Sequence, residues 1–149
     1  MSKITIMMGL PGSGKTTWAK KNRPRHIHCS ADDYRTDEYG NYKFSPELNS
    51  KHHNECFNNY LNLILDDHDI VVDNTNTTLH EIAPYMTLAQ SQDDTVEVML
   101  CQHYESFDRQ THGVPLEAWL RMKEQMTSAL MNWPEYWPTV QSAHHGVHG

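Results

Sequence analysis

Eight consecutive residues near the start of the chain, Gly9-Leu10-Pro11-Gly12-Ser13-Gly14-Lys15-Thr16, meet the spacing GxxxxGK followed by Ser or Thr at every required position. Glycines there let successive backbone N–H groups curl around a phosphate without Cβ clashes. A helix opening at the loop adds its N-terminal partial positive charge. Lys15 is expected on the β- and γ-phosphates, and the Thr16 hydroxyl on Mg²⁺. Gly9, Pro11, Gly12, Ser13, Gly14, Lys15, Thr16 and Thr17 thus form the expected nucleotide cradle, for ATP or GTP with Mg²⁺. Reaction type does not follow, because such loops serve kinases, GTPases and motor ATPases alike.

Three further clusters could complete a reaction. Ser30-Ala31-Asp32-Asp33-Tyr34-Arg35 carries two adjacent carboxylates that can divide labour, one near the metal and one near an incoming hydroxyl. Arg35 could grip an anionic part of an acceptor in a bidentate fork. The same residues would equally serve a plain N-capped turn. Val72-Asp73-Asn74-Thr75-Asn76 ends an apolar run in Asp, where a second metal-organising carboxylate belongs; an Asx turn is the alternative. Arg109, ahead of His112-Gly113-Val114-Pro115, suits a lid that covers the γ-phosphate, and Arg121 is a weaker candidate of the same kind. An arginine on a solvated face would look the same.

The elements that must position these groups follow from periodicity. Lys3 to Met8, His26 to Ser30, Asp69 to Asp73 and Thr95 to Cys101 are short apolar runs that read as buried parallel strands. Helices are expected over 16–22, 46–66, from the capping-box spacing Thr78-Leu-His-Glu81 to about Ser91, and over 116–131, with another before Gly113. Pro84 should bend the third near its start. The alternation argues for a mostly parallel α/β fold of three layers, with a lid segment at about 104–116. One domain is expected over 1–131, followed by a Trp- and His-rich tail, 132–149, either docked or loose. Burial of that tail is favoured over stacking of Trp133, Tyr136 and Trp137 on bases.

Composition narrows the partners. Twelve Lys and Arg against nineteen Asp and Glu leave a formal net charge of −7. Residues 1–43 carry eight basic and four acidic side chains, and residues 44–149 four basic and fifteen acidic. A focal phosphate site fits this split; a broad nucleic-acid coat does not. No apolar run is long enough to span a bilayer, and no signal peptide is read. Three cysteines without CxxC spacing suit free thiols in a reducing, cytoplasmic compartment.

Taken in order, GLPGSGKTTWAK, SADDYR, VVDNTN and RQTHGVPLEAWLRMKEQM resemble the kinase domain of T4-type polynucleotide 5′-kinases. They are still more similar to the P-loop kinase domain of the NEDD4-binding protein 2 family, which shares the DD turn, the segment from Gly40 to Pro46 and DNTN. The resemblance implies a three-layer P-loop kinase fold, a four- to five-stranded parallel sheet flanked by helices with a helical lid, and transfer of the ATP γ-phosphate to a nucleic-acid hydroxyl, foremost a polynucleotide 5′-hydroxyl. It implies Asp32 as general base, Arg35 on the acceptor's phosphate, Lys15 and Thr16 on phosphate and Mg²⁺, and Arg109 as the lid arginine. Asp32 and Asp73 join Thr16 as expected Mg²⁺ ligands, and Asp33, Arg35, Tyr42, Asn74 and Asn76 are expected on the acceptor. Tyr39 and Phe44 are further candidates for the acceptor pocket.

The chain departs from the pattern at Arg109-Gln110, where the lid usually reads Arg-Asn, and at Asn74, where T4-type enzymes have Asp. No 3′-end repair activity is expected. Bacteriophage relatives phosphorylate hydroxymethylpyrimidines in DNA, so 5-hydroxymethyluracil, a nucleoside or another small alcohol stands as the alternative acceptor. A non-catalytic ATP-binding switch is the reading from a different class.

Overall fold

In a computed structural model the chain is described over residues 1–35, 39, 46–102, 108 and 113–143. The four apolar runs become strands of a five-stranded parallel sheet: β1 (Lys3–Met8), β2 (Ile27–Cys29), β3 (Ile70–Asp73) and β4 (Thr95–Leu100), joined by an unforeseen β5 (Val140–Ser142). Their order across the sheet is β2-β3-β1-β4-β5. β1 lies at the centre, with Ile4 opposite Ile70 on one side and Val96 on the other. Both faces of β1 are covered, so every side chain from Ile4 to Met8 is buried, Thr5 included.

Helix α1 (Lys15–Asn22) covers one face of the sheet, packing Trp18 and Ala19 against Met7, Val71 and Met99. The other face is covered by α2 (Asn49–Leu65), α3 (Leu79–Ser91) and α4 (Leu116–Met131). These helices bring Cys56, Tyr60, Ile64, Ile82, Met86, Trp119 and Met126 onto Ile4, Ile6 and Met8. Each such apolar side chain taken fully out of water stabilises the fold by about 1.5–3 kcal/mol before entropy is counted. Tyr60, fully buried, donates its hydroxyl proton to the Tyr85 carbonyl at 2.8 Å, which satisfies the one polar atom it takes into the core.

The helix read over 46–66 has its first turn as a separate 3-10 element, Pro46–Leu48, before the α-helix begins at Asn49. The cap of α3 forms as its spacing predicts: the Thr78 hydroxyl accepts from the Glu81 N–H at 3.1 Å. Glu81 answers one residue further out, accepting from the Thr77 N–H at 3.2 Å. The helix continues through Pro84 to Ser91. Within the segment read as a tail, residues 140–142 pair with β4 as the fifth strand, and Trp137 is buried in the main core. Trp133 packs edge-on against Trp137 at 5.2 Å and donates its indole N–H to the Pro138 carbonyl at 2.9 Å. No helix among the described residues is long and apolar enough to cross a membrane.

Candidate active site

Parallel strands place their carboxyl ends on one edge of the sheet, so the segments that follow β1, β2 and β3 converge there. After β1 the chain makes the phosphate loop. Gly9 has room for nothing larger: a Cβ would stand 2.5 Å from the Ser13 Oγ and 2.8 Å from the Cys101 carbonyl. Gly12 and Gly14 take φ of 86° and 91°, the left-handed region open to glycine. Gly14 caps α1, and among the described residues no side chain makes a capping hydrogen bond there. Those donors face the loop's concavity with the positive end of the helix. The loop is also held from above, where the Trp119 indole N–H of α4 donates to the Pro11 carbonyl at 3.3 Å.

Lys15 closes the cradle, its Nζ donating to the Leu10 carbonyl at 3.2 Å. Burial lowers its pKa, while the charges of Asp73, Cys101 and Asp32 pull the other way. Thr16 donates its hydroxyl proton to Asp73 Oδ2 at 2.6 Å, and His28 Nε2 lies 2.7 Å from the same oxygen. Asp73 is 3% exposed. Burial alone would raise its carboxyl, but the His28 and Thr16 hydrogen bonds and the Lys15 charge hold it below the usual range. Its other oxygen, Oδ1, has no hydrogen-bond partner among the described residues. A buried, ionised carboxylate with an uncommitted oxygen beside a hydroxyl is a donor set that fits a hard cation such as Mg²⁺.

On the opposite side stands the turn after β2. Ser30 caps it, its Oγ accepting from the Asp32 N–H at 3.1 Å. Arg35 is held by three side chains. Its Nη1 donates to Asp32 Oδ1 at 2.9 Å, and its Nη2 donates to Asn49 Oδ1 and lies 3.4 Å from His53 Nε2. Burial and then the Arg35 charge lower the His53 pKa, so the imidazole is neutral at pH 7 and its Nε2 can accept. Asn49 and His53 were not among the site residues expected from sequence.

One cavity of about 460 Å³ joins the two sides, lined by Lys15, Thr16 and Asp73 at the phosphate end and by Asp32, Arg35, Asn49 and His53 at the other. α4 roofs it with Ala118, Arg121, Met122 and Gln125, and Gln125 is tied to Thr77 at 3.2 Å. Arg121 thus lines the cavity. Glu81 also lines the wall, although its spacing pointed only to a cap.

Other expected acceptor residues are placed differently. Asn74 lines the cavity but spends its amide on scaffolding: Oδ1 accepts from the Ala31 N–H at 2.8 Å and Nδ2 donates to Cys56 Sγ at 3.6 Å. Asn76 is 1% exposed, takes φ of 51° and donates to the Met7 carbonyl at 2.7 Å, away from the cavity lining. It locks the loop after β3 onto β1. Asp33 and Tyr39 are exposed and do not line the cavity. Tyr42, Phe44, Arg109 and the lid segment around Arg109 lie outside the described residues.

Comparison with known proteins places this geometry. A family model described as an AAA domain matches residues 4–128. Human NEDD4-binding protein 2 is 29% identical over 137 residues, which takes in 81% of this chain and 7% of that protein. Among solved structures, a chain of the Pnkp1/Rnl/Hen1 RNA repair complex superposes with a TM-score of 0.70 at 18% identity, covering 98% of this chain and 50% of that one. The APS kinase CysC of Mycobacterium tuberculosis, as a Cys556Ala mutant, follows at a TM-score of 0.50 and 15% identity, covering 87% of this chain and 95% of that one. The chain therefore spans half or less of the relative and of the repair-complex chain, and its fold is the one these solved structures share.

Proposed function

Because the chain belongs to the AAA-domain family and carries a complete phosphate loop, we propose that it transfers the γ-phosphate of ATP to a hydroxyl of a nucleic acid, with a polynucleotide 5′-hydroxyl as the acceptor. The observation that carries this reading is the two-ended cavity: a phosphate cradle and a metal-ready carboxylate face Asp32 and Arg35 across about 460 Å³. A nucleotide switch needs the first half only. The fold shared with a chain of an RNA repair complex sets the acceptor class to test first.

In this reading the loop N–H groups and Lys15 hold the β- and γ-phosphates. Thr16 and Asp73 would hold Mg²⁺, whose chemistry is to neutralise charge that develops on the phosphate oxygens. Arg35 pairs with an anionic group of the acceptor and points its hydroxyl at the γ-phosphorus. Asp32 accepts the hydroxyl proton as the new O–P bond forms and the bond to the β,γ-bridging oxygen breaks, releasing ADP. Arg109 would close the site from the lid.

Labelled ATP with a panel of acceptors tests this, with Asp32→Asn alongside. The panel holds 5′-hydroxyl DNA and RNA oligonucleotides, 5′-blocked duplexes with internal 5-hydroxymethyluracil, nucleosides and small alcohols. Label on plain 5′-hydroxyl ends, lost about 10²- to 10⁴-fold in Asp32→Asn with ATP binding retained, is the expected result. Label confined to the hydroxymethylated duplex or to small alcohols would replace the acceptor and keep the chemistry. ATP binding with no acceptor-dependent turnover would overturn the kinase reading.

A further inference from the structure

His28 belongs to none of the site motifs, yet the sheet delivers it to a buried carboxylate of the site. Along β2, exposure falls from Ile27 through the half-buried His28 to the buried Cys29. Register with β3 sets His28 beside Val71 and Cys29 beside Val72. Cys29 and Val72 join the core under α2, while Val71 packs with α1. Side chains alternate along a strand, so His28 shares the α1 face with Val71 and with Asp73 two residues on. The imidazole reaches diagonally along that face, and its Nε2 stands 2.7 Å from Asp73 Oδ2.

The bland role for such a histidine is to satisfy a buried charge. The distribution of donors argues for more. Thr16 already gives its hydroxyl proton to Oδ2, at 2.6 Å. His28 adds a second donor to that same oxygen, while Oδ1, fully out of water, has none among the described residues. A donor serving burial alone would do more on the bare oxygen, because leaving a buried acceptor unmade costs more than a second bond to a paired one gains. Two donors on one oxygen instead fix the carboxylate's rotation and hold the other oxygen in reserve. Asp73 is ionised and can only accept, so Nε2 supplies the proton whether the ring is neutral or charged.

We propose that His28 is a positioning residue for the metal: by holding Asp73 Oδ2 together with Thr16, it keeps Oδ1 available to the Mg²⁺ that arrives with ATP. The inference rests on the Mg²⁺–nucleotide site of the function proposed above and is independent of the acceptor. Removing an outer partner of a metal-binding carboxylate changes metal affinity about 10- to 100-fold.

The test uses the full chain and a non-hydrolysable ATP analogue, with affinity read by titration calorimetry in excess Mg²⁺ and in EDTA. The ratio of the two affinities is the readout, since damage to the fold or to the phosphate loop acts on both alike. His28→Ala should cut the ratio by about 10-fold or more, with the EDTA affinity within about twofold of the wild type. His28→Gln, whose amide nitrogen sits as far along the side chain as Nε2, should recover most of it. Tyr60→Phe loses a core hydrogen bond away from the cavity, and should lower Tm while leaving the ratio alone. In an Asp73→Asn background His28→Ala should take nothing further, because it acts through that carboxylate.

A ratio unchanged in His28→Ala, a Gln variant no better than Ala, or an equal further loss in the Asp73→Asn background would overturn the proposal. Where His28→Ala does not fold, His28→Met, of similar length and without the donor, takes its place in each comparison. A wild-type ratio near one would remove the Mg²⁺ site and this inference with it. A large wild-type ratio left intact by every His28 variant would remove the inference alone and keep the kinase reading.

Discussion

Asn74→Ala separates a scaffold from a substrate ligand. In the structure Asn74 is the only described acceptor for the buried Ala31 N–H, and it ties that residue to Cys56 on α2. Truncation leaves the Ala31 N–H unpaired at a cost of about 1–3 kcal/mol, and the weak bond to sulfur adds little. A loss near 2 kcal/mol should lower Tm by about 4–8 °C in a domain of this size. The chemistry should suffer through position, because Ala31 begins the turn that carries Asp32 and Arg35. A shift of about 1 Å in the base is worth about 100-fold in rate. Thermal melts and steady-state kinetics with ATP and acceptor each varied would read both effects. The expected pattern is a lower Tm, a kcat reduced between 10- and 100-fold and an unchanged KM for ATP. A wild-type Tm with nothing altered but a raised acceptor KM would refute the scaffold role and return Asn74 to the acceptor.

Gly9→Ala should destabilise by about 1–3 kcal/mol and weaken nucleotide binding together, since the 2.8 Å approach to the Cys101 backbone carbonyl cannot be relieved by a rotamer change; denaturant midpoints and ATP titration check it. Lys15→Ala should weaken ATP binding by about 10- to 150-fold, the equivalent of about 1.5–3 kcal/mol for a hydrogen bond from a charged group, with Tm little altered. Glu81→Gln should raise stability at pH 7. Burial raises the Glu81 carboxyl above its ordinary 4.5, so the native state holds the proton more tightly and loses stability as pH climbs past that value. The gain from Gln should therefore vanish below about pH 4.5, and denaturation midpoints from pH 4 to 8 would show whether it does.

The parts legible in sequence are those whose cause is local. The phosphate loop is a contiguous pattern, and its glycines are required by backbone angles and by a Cβ clash within and beside the same turn. β1, β3 and α4 are long or apolar enough for periodicity to find their bounds nearly to the residue. The strand β5 is three residues with two exposed polar side chains, and only pairing with Val98–Leu100 makes it a strand.

The same divide runs through the site. Asp32, Arg35 and Asp73 follow strands and could be placed by that rule. Asn49 and His53 matter only because α2 folds back against the turn after β2, which no local pattern announces. Asn76 shows the opposite failure. An Asn after a strand invites a ligand role, yet its left-handed φ and its bond to Met7 make it a loop lock.

The central place of β1 has a consequence for how the protein is made. The strand that leaves the ribosome before the other four is the one that must end with a partner on each side. Its nearer neighbour, β3, is paired 66 residues away, at Ile4 and Ile70, and β4 is further still. The indole that steadies Pro11 arrives 108 residues after it, about 5–20 s later at ordinary synthesis rates. Within that interval β1 gains its flanks one at a time, from Ile70–Asp73 and then Thr95–Leu100, and its phosphate loop has no roof until the end. Nascent chains arrested before Trp119 should therefore be readily cleaved by protease and engaged by holdase chaperones, and acquire nucleotide affinity only once α4 has cleared the exit tunnel.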